Sequence, residues 1–526
     1  MTGALWGAVA LAVSPLAGAQ AFSDAKSALV DYSTATRAPA RTCVSLERFR
    51  SRDLREIRSE PVGATASAPS FCRVTGVLAP EIAFEITLPD RWNGRFYMFG
   101  NGGLAGESLH SPFRIAQRDA ALRNGFAVAQ TNTGHDARKE PGGTFVLSNP
   151  EKAIDYAYRA TNLTVVTAKA VVRRYYGIAV ERSYWDSCSN GGRQGLIEAQ
   201  RYPRDFDGIL VGSPWIDQTG FTIGALWNQR AVGSVTLSAG KLALLAKFVM
   251  AKCDAVDGLK DGLISDPRNC RFDARRDVPA CAAGTDDDSC LTAAQAEAVM
   301  KVYSGPLSHG KPLYPGYMLG SEAVVPGRGG TPSVSGWIGT IVAGAPGRDP
   351  ADFDLADNIM RYLVFTPPRP GYDYRTFNFD RDAHLLARWG RTVNATDADL
   401  SAFRHRGGKL LMTDGWADPI LQPLVGVRYY ERAVARNGPD TPEFFRLFMV
   451  PGMGHCGGGI GTDRFDAMTA LIDWVEKGRA PAVIQASRVV GNRVVRSRPL
   501  CPYPEVARYS GKGSINEATN FSCATR

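Results

Sequence analysis

Long apolar segments, clustered basic residues and histidines are all scarce in this sequence. After the N-terminal stretch no segment has eighteen or more uninterrupted apolar residues, so no membrane span is expected. The net charge of +9 is spread over 526 residues without a run of five or six Lys or Arg, so no nucleic-acid partner is expected. Only six histidines are present, so few residues can act as a histidine base. Apolar residues make up 44% of the chain, which is typical of a globular protein with a sizeable core.

The N-terminus and the cysteines together predict an exported protein. The first residues are apolar and contain Ala17-Gly18-Ala19, which is typical of the cleavage site of a signal peptide, here over residues 1–19. The ten cysteines fit five disulfides formed in a secreted or periplasmic protein. Short loops favour the pairs Cys253–Cys270, Cys281–Cys290 and Cys501–Cys523, and Cys43–Cys72 would fasten the N-terminal region. Cys188 and Cys456 are left over and lie far apart in sequence.

Short apolar runs that lead into loops predict the central strands of a parallel sheet. These runs are 96–99, 125–130, 183–187, 206–211, 409–413 and 445–450. Helical patterns lie between them, at 152–176, 194–200, 421–436 and 465–477. Strands that alternate with helices in this way indicate an α/β fold.

The stretch 216–400 has a different character. It is rich in Gly, Pro and Asp, carries four of the ten cysteines and shows no clear alternation of strands and helices. We therefore predict a lid domain over 216–400, inserted into a catalytic domain formed by 20–215 and 401–526. An insertion at this point would lie above the C-terminal edge of the sheet and shape the substrate pocket.

Ser189 is the predicted nucleophile. The predicted strand 183–187 leads into Cys188-Ser189-Asn190-Gly191, and a helical pattern follows. This is a nucleophile elbow of the form S-x-S-x-G, whose sharp turn needs small residues two positions before and two after the nucleophile. Ser187 and Gly191 meet that requirement, and the N-terminus of the following helix would stabilise developing negative charge.

His455 is the predicted base and Asp418 the predicted acid. His455 follows the last predicted strand, which is where an α/β-hydrolase carries its base. The acid should follow the preceding strand, where Asp414 and Asp418 compete. Asp418 is favoured because it stands just before a helix, where a loop acid can turn towards the top of the sheet. The resulting chain order Ser, Asp, His is that of the α/β-hydrolase fold.

Two backbone N–H groups are needed to hold an oxyanion. One belongs to Asn190, directly after the nucleophile, and the other is expected in the loop 100–103, with Gly103 favoured and Gly102 next. These groups predict two-step acyl transfer by a serine hydrolase. Two rival functions are a catalytically silent hydrolase fold used for binding and a metal-dependent hydrolase.

An acidic loop inside the predicted lid suggests a calcium site. Asp254, Asp257 and Asp261 lie close together in a segment that also contains Gly258 and Gly262, and hard cations bind several oxygens of this kind. The spacing is not that of an EF-hand, and the other interpretation is a solvated acidic turn.

Taken together, these motifs resemble the tannase and feruloyl esterase family over nearly the whole mature chain. The specific marks are Cys188-Ser189-Asn190-Gly191-Gly192-Arg193, Gly415-Trp416-Ala417-Asp418-Pro419 and Gly454-His455-Cys456. The resemblance implies an ester hydrolase for small aromatic acids of the feruloyl, hydroxycinnamoyl or galloyl type, without an organic cofactor. Hydrolysis of mono(2-hydroxyethyl) terephthalate is the alternative within the family, and the oligomeric state stays open.

The resemblance also assigns roles to individual residues. It pairs Cys188 with Cys456, and it implies a structural calcium ion in the lid held by the side chains of Asp254, Asp257 and Asp261 and the carbonyls of Leu259 and Leu263. The family often has Gly where Ser187 stands and His where Asp414 stands. Because that second position lies near the substrate, Asp414 is a candidate substrate contact, as are Arg328 and Trp337 in the lid segment 328–337.

Overall fold

The computed structural model describes residues 21–22, 30–32, 36–322 and 336–525. The expected signal peptide and Arg328 lie outside the described residues. The described strands are β1 Leu54–Val62, β2 Phe71–Leu78, β3 Ile82–Pro89, β4 Arg95–Met98, β5 Ala127–Thr131, β6 Arg182–Cys188, β7 Gly208–Gly212, β8 Leu307–Ser308, β9 Lys311–Pro312, β10 Lys409–Gly415, β11 Phe445–Val450, β12 Ile484–Val490, β13 Arg493–Leu500, β14 Val506–Tyr509 and β15 Phe521–Ala524. The α-helices are α1 Pro112–Arg123, α2 Phe145–Ser148, α3 Lys152–Ile154, α4 Ala160–Tyr176, α5 Asn190–Arg201, α6 Gln218–Val232, α7 Ala239–Cys253, α8 Ala274–Asp277, α9 Ala293–Ser304, α10 Ala351–Asn358, α11 Ala387–Val393, α12 Ser401–His405, α13 Pro423–Asn437 and α14 Ala467–Lys477.

A nine-stranded sheet in the order β1-β2-β3-β5-β4-β6-β7-β10-β11 forms the centre of the protein. Along this order the neighbours β1, β2, β3 and β5 pair antiparallel. The neighbours β5, β4, β6, β7, β10 and β11 pair parallel. The six runs predicted from the sequence are the six parallel strands β4, β5, β6, β7, β10 and β11. The antiparallel strands β1 to β3 were not predicted.

Helices cover both faces of this sheet, which explains why its parallel strands are mostly buried and rich in apolar residues. Apolar side chains of α4, α5 and α13 pack on one face, and those of α1 and α14 pack on the other. No helix in the described part of the chain combines the length and the apolarity that a membrane crossing requires.

The segment predicted to be a lid, here called the lid, lies between two neighbouring strands, because β10 pairs directly with β7 although about two hundred residues separate them. The described part of the insertion is mainly helical, with α6 to α11 and the two-residue strands β8 and β9. One apolar cluster lies within the lid, and another joins the lid to the catalytic domain through residues such as Trp215, Phe221 and Leu355. The exact domain boundaries at 216 and 400 stay a prediction.

A buried polar pair joins two lid helices. Asn228 on α6 donates from Nδ2 to Asp352 Oδ2 on α10 at 3.1 Å, and both side chains are buried. Burial raises the pKa of Asp352 from 3.8 to about 7, and the hydrogen bond from Asn228 opposes this only in part. Between these two pH values the unfolded chain releases the proton that the folded lid retains.

The substitution Asp352→Asn should therefore stabilise the lid in a pH-dependent way. Asparagine keeps an oxygen for Asn228 but cannot ionise. As pH rises from about 4 to 7, the free energy of unfolding of the wild type should fall relative to that of the variant. The difference between the two should reach roughly 4 kcal/mol at most and should not change further above pH 7. Thermal melts at several pH values would measure this difference, with the exposed Asp440→Asn as the control. A difference that does not vary with pH would contradict the account.

Candidate active site

The turn that carries the predicted nucleophile, Ser189, lies at the carboxyl end of the central strand β6. Ser189 has φ 63° and ψ −127°, a strained conformation for a residue with a side chain. Backbone hydrogen bonds hold it there, from Ser189 N to Gly212 O (2.9 Å) and from Trp215 N to Ser189 O (2.9 Å). Gly191 is required because a Cβ atom there would lie 1.9 Å from Ser187 Oγ. Helix α5 starts at Asn190, directly behind the serine.

The predicted acid and base meet on neighbouring loops. His455 Nδ1 lies 2.7 Å from Asp418 Oδ2, and the Asp418 side chain is fully buried. The other oxygen of Asp418 accepts the backbone N–H groups of Ile420 (2.8 Å) and Leu421 (2.9 Å), which fixes the carboxylate in place. The loops themselves are joined by a hydrogen bond from Ala417 N to Met453 O at 3.0 Å.

A disulfide bond links the nucleophile strand to the base loop. Cys188 and Cys456 are bonded, with their Cα atoms 6.0 Å apart, and they directly neighbour Ser189 and His455. This bond joins residues 268 positions apart in sequence and brings the serine and histidine loops together. His455 and the two sulfur atoms also lie within 4.8 Å of one another, but disulfide sulfurs are not thiolates and hold no metal. The other four disulfides join the predicted pairs, three of them expected from loop length and Cys43–Cys72 expected to fasten the N-terminal region.

The loop 100–103, which is expected to supply the second oxyanion donor, lies against the turn at Ser189. Asn101 N donates to Gln194 Oε1 of α5 at 2.9 Å, and a Cβ atom on Gly100 would lie 2.7 Å from Gly191 Cα. Within the described part of the chain, the N–H groups of Gly103 and Asn190 donate no hydrogen bond. Two unused donors beside the predicted nucleophile are what an oxyanion hole requires.

Two side chains to which the sequence assigned no role, Arg193 and Tyr156, lie beside these donors. Arg193 is fully buried and donates to Asn190 Oδ1 (2.7 Å) and to the carbonyls of Tyr156, Ala157 and Val393. Burial lowers the pKa of Arg193 to about 10. Tyr156 lies in a π-helical turn, Asp155–Arg159, and its hydroxyl approaches both Gly103 and Asn190. Arg193 stands inside the CSNGGR motif, but no sequence signal marks Tyr156.

The structure places two of the three candidate substrate contacts in the interior of the protein. Trp337 is fully buried in the lid core, where Nε1 donates to Ser321 Oγ at 3.0 Å, so it leaves no surface for a substrate. Asp414 is only 4% exposed, because it packs beneath helix α13 against Gly426. Burial, followed by the nearby charge of Asp418, raises the pKa of Asp414 well above its usual value. Neither residue lies at an open surface, and Arg328 falls outside the described residues.

The acidic loop of the lid has the donor chemistry of a calcium site. Asp254 Oδ1 accepts the N–H groups of Asp261 (3.0 Å) and Gly262 (2.9 Å), so the loop turns around this carboxylate. Asp257 also receives the Ser265 hydroxyl, and Asp261 pairs with Arg498. Among the described residues, no three carboxylates bring oxygens within 4.8 Å of one another. The oxygens are of the kind that calcium binds, but they are spread around the turn.

Comparison with known proteins identifies the family. A family model described as tannase and feruloyl esterase matches residues 64–524. The chain belongs to the tannase and feruloyl esterase family. It is therefore a carboxylic ester hydrolase with an α/β-hydrolase fold.

Named relatives within the tannase and feruloyl esterase family cover most of the chain. An uncharacterized esterase of Xanthomonas campestris pv. campestris is 37% identical over 88% of this chain and 86% of its own length. The mono(2-hydroxyethyl) terephthalate hydrolase of Piscinibacter sakaiensis is 35% identical, with the same two coverages. The crystal structure of feruloyl esterase B from Aspergillus oryzae is 28% identical, with a TM-score of 0.75, and is matched over 92% of this chain and 99% of that one.

Proposed function

We propose that this protein is an exported serine esterase that cleaves esters of small aromatic acids of the feruloyl, hydroxycinnamoyl or galloyl type. The observation that carries the proposal is the 2.7 Å contact between His455 Nδ1 and Asp418 Oδ2, beside a disulfide that ties His455 to the Ser189 elbow. An imidazole held in this way presents Nε2 as the base for a serine hydroxyl.

The reaction would proceed in two steps. His455 Nε2 takes the proton of Ser189 Oγ, which attacks the ester carbonyl, while the N–H groups of Asn190 and Gly103 hold the oxyanion. Asp418 accepts the hydrogen bond of His455 Nδ1–H and stabilises the imidazolium. His455 then protonates the leaving alcohol, and water releases the aromatic acid from Ser189 by the same route.

The aromatic ester class is supported by the family match and by the relatives that carry substrate names. The second candidate is hydrolysis of mono(2-hydroxyethyl) terephthalate. The 35% identity to the enzyme that is named for this reaction favours it.

A panel of esters compared with Ser189→Ala tests the proposal. Methyl ferulate, chlorogenate, methyl gallate, mono(2-hydroxyethyl) terephthalate and a short-chain p-nitrophenyl ester should separate the candidates by kcat/KM. At least one aromatic ester should be turned over, and Ser189→Ala should lower kcat by at least about ten-thousand-fold because it removes the nucleophile. Cleavage of the p-nitrophenyl ester alone would overturn the substrate class, and activity that survives in Ser189→Ala would overturn the mechanism.

We also propose that the lid holds a structural calcium ion at Asp254, Asp257 and Asp261, with the carbonyls of Leu259 and Leu263. The carboxylates and the turn around Asp254 support this, and Arg498 would share Asp261 with the ion. A bound ion would stabilise the lid and would take no part in the chemistry.

Calcium should raise the melting temperature of the protein after treatment with a chelator. A ligand at one hundred times its Kd stabilises the folded state by about 2.7 kcal/mol, which a thermal melt detects. Asp257→Asn should weaken this response, whereas Asp287→Asn, at an exposed lid carboxylate, should keep it. If calcium leaves the melting temperature of the wild type unchanged, the proposed site is wrong.

Export to the periplasm or the medium is part of the same proposal. Five disulfides, with no free cysteine in the described part of the chain, fit an oxidising compartment.

A further inference from the structure

The hydroxyl of Tyr156 lies between the two segments that form the expected oxyanion hole. Its oxygen lies 3.0 Å from the Gly103 carbonyl oxygen and 3.2 Å from Asn190 Oδ1. It also accepts a hydrogen bond of 2.6 Å from Nε2 of Gln218, the first residue of lid helix α6. Tyr156 is fully buried, so no solvent competes for these contacts.

The hydrogen-bonding capacity of the groups decides where the tyrosine proton goes. A phenol has one O–H to donate, and Gln218 already occupies an acceptor site on the oxygen. Asn190 Oδ1 receives the charged Arg193 Nε at 2.7 Å, whereas the Gly103 carbonyl offers a shorter contact to Tyr156. The tyrosine therefore donates to Gly103 O. Burial raises the pKa of Tyr156, which keeps this proton in place.

The backbone of Gly103 has little around it that would restrict its rotation. It has φ 47°, and a Cβ atom at this position would meet only Leu355 Cδ2, at 3.9 Å. Glycine has more rotational freedom than any other residue, so packing alone does not fix the direction of its N–H. A hydrogen bond to its carbonyl restricts that rotation.

We propose that Tyr156 is a positioning residue for acyl transfer, whose hydroxyl orients Gly103 beside Asn190 and couples this arrangement to lid helix α6 through Gln218. The inference rests on the proposed function, since it assigns Gly103 and Asn190 to the oxyanion hole. Full stabilisation of the transition state would then require the contact between lid helix α6 and the Tyr156 hydroxyl.

The test compares Tyr156→Phe with the wild type. The variant keeps the ring and removes the hydroxyl, so it should lower kcat for a p-nitrophenyl ester by about tenfold or more, with KM changed less than about twofold. The expected loss is smaller than the 10²–10³-fold that follows loss of an oxyanion donor itself. Affinity for an arylboronic acid, which forms a tetrahedral adduct, should fall in parallel, whereas affinity for the product acid should not.

Two further variants test the contact with the lid and control for the loss of a buried hydroxyl group. Gln218→Leu removes the lid contact and should lower kcat in the same direction, and its effect should not add to that of Tyr156→Phe. Tyr176→Phe is the matched control, because it removes another buried hydroxyl that donates to a backbone carbonyl, Pro89 O at 2.6 Å. It should lower thermal stability and leave kcat unchanged.

Three outcomes would overturn the inference. These are unchanged kcat in both Tyr156→Phe and Gln218→Leu, additive effects of the two substitutions, or an equal loss of affinity for the boronic acid and for the product acid. Failure of the proposed function is distinct, because it would show as activity that persists in Ser189→Ala. If Tyr156→Phe does not fold, Gln218→Leu with the boronic acid measurement decides the question.

Discussion

The sharp turn at Ser189 is the constraint on which the rest of the site depends. A residue with a side chain at φ 63° costs on the order of 1–3 kcal/mol, and the surrounding structure must supply it. Strand β7 contributes the Gly212 carbonyl, and Gly191 leaves room for the turn to pass Ser187. Helix α5 starts directly after this turn, the Cys188–Cys456 bond directly precedes it, and the loop 100–103 packs against it at Gly191.

Parallel strands bring the remaining groups to the same edge of the sheet. The acid loop follows β10, the base loop follows β11, and the loop 100–103 follows β4, so residues distant in sequence meet where these strands end. Hydrogen bonds then set the fine geometry, with Asp418 held by two backbone N–H groups and Asn190 held by Arg193. The lid contacts the same edge, since Leu263 packs at Gly452 of the base loop and Leu355 at Gly103.

The parts of the fold that could be predicted from sequence are those that local pattern decides. Buried parallel strands are short runs rich in apolar residues that end at loops, and the candidate Ser, Asp and His follow three of these strands in chain order. Strand β3 was not predicted, and its central carboxylate, Glu85, is buried beside Arg118 at 3.3 Å. The lid helices lack a strong pattern, because contacts between distant segments, such as Asn228 with Asp352, hold them.

Side-chain roles that depend on contacts through space could not be predicted in the same way. Trp337 was expected to face a substrate, but it fills the lid core, and Asp414 is buried beneath α13. Tyr156 appeared only as one position in a long helical pattern, because neither its π-helical turn nor its three hydrogen-bond contacts leave a trace in the local sequence.

Covalent labelling of the nucleophile tests the central claim most directly. A fluorophosphonate reacts with a serine only when a base and an oxyanion hole activate that serine, so its adduct reports the whole arrangement. The account predicts one adduct per chain, located on Ser189 by peptide mass mapping, whose formation parallels loss of esterase activity. Complete inactivation with the adduct on another residue, or ester hydrolysis by a protein that forms no adduct at Ser189, would contradict it.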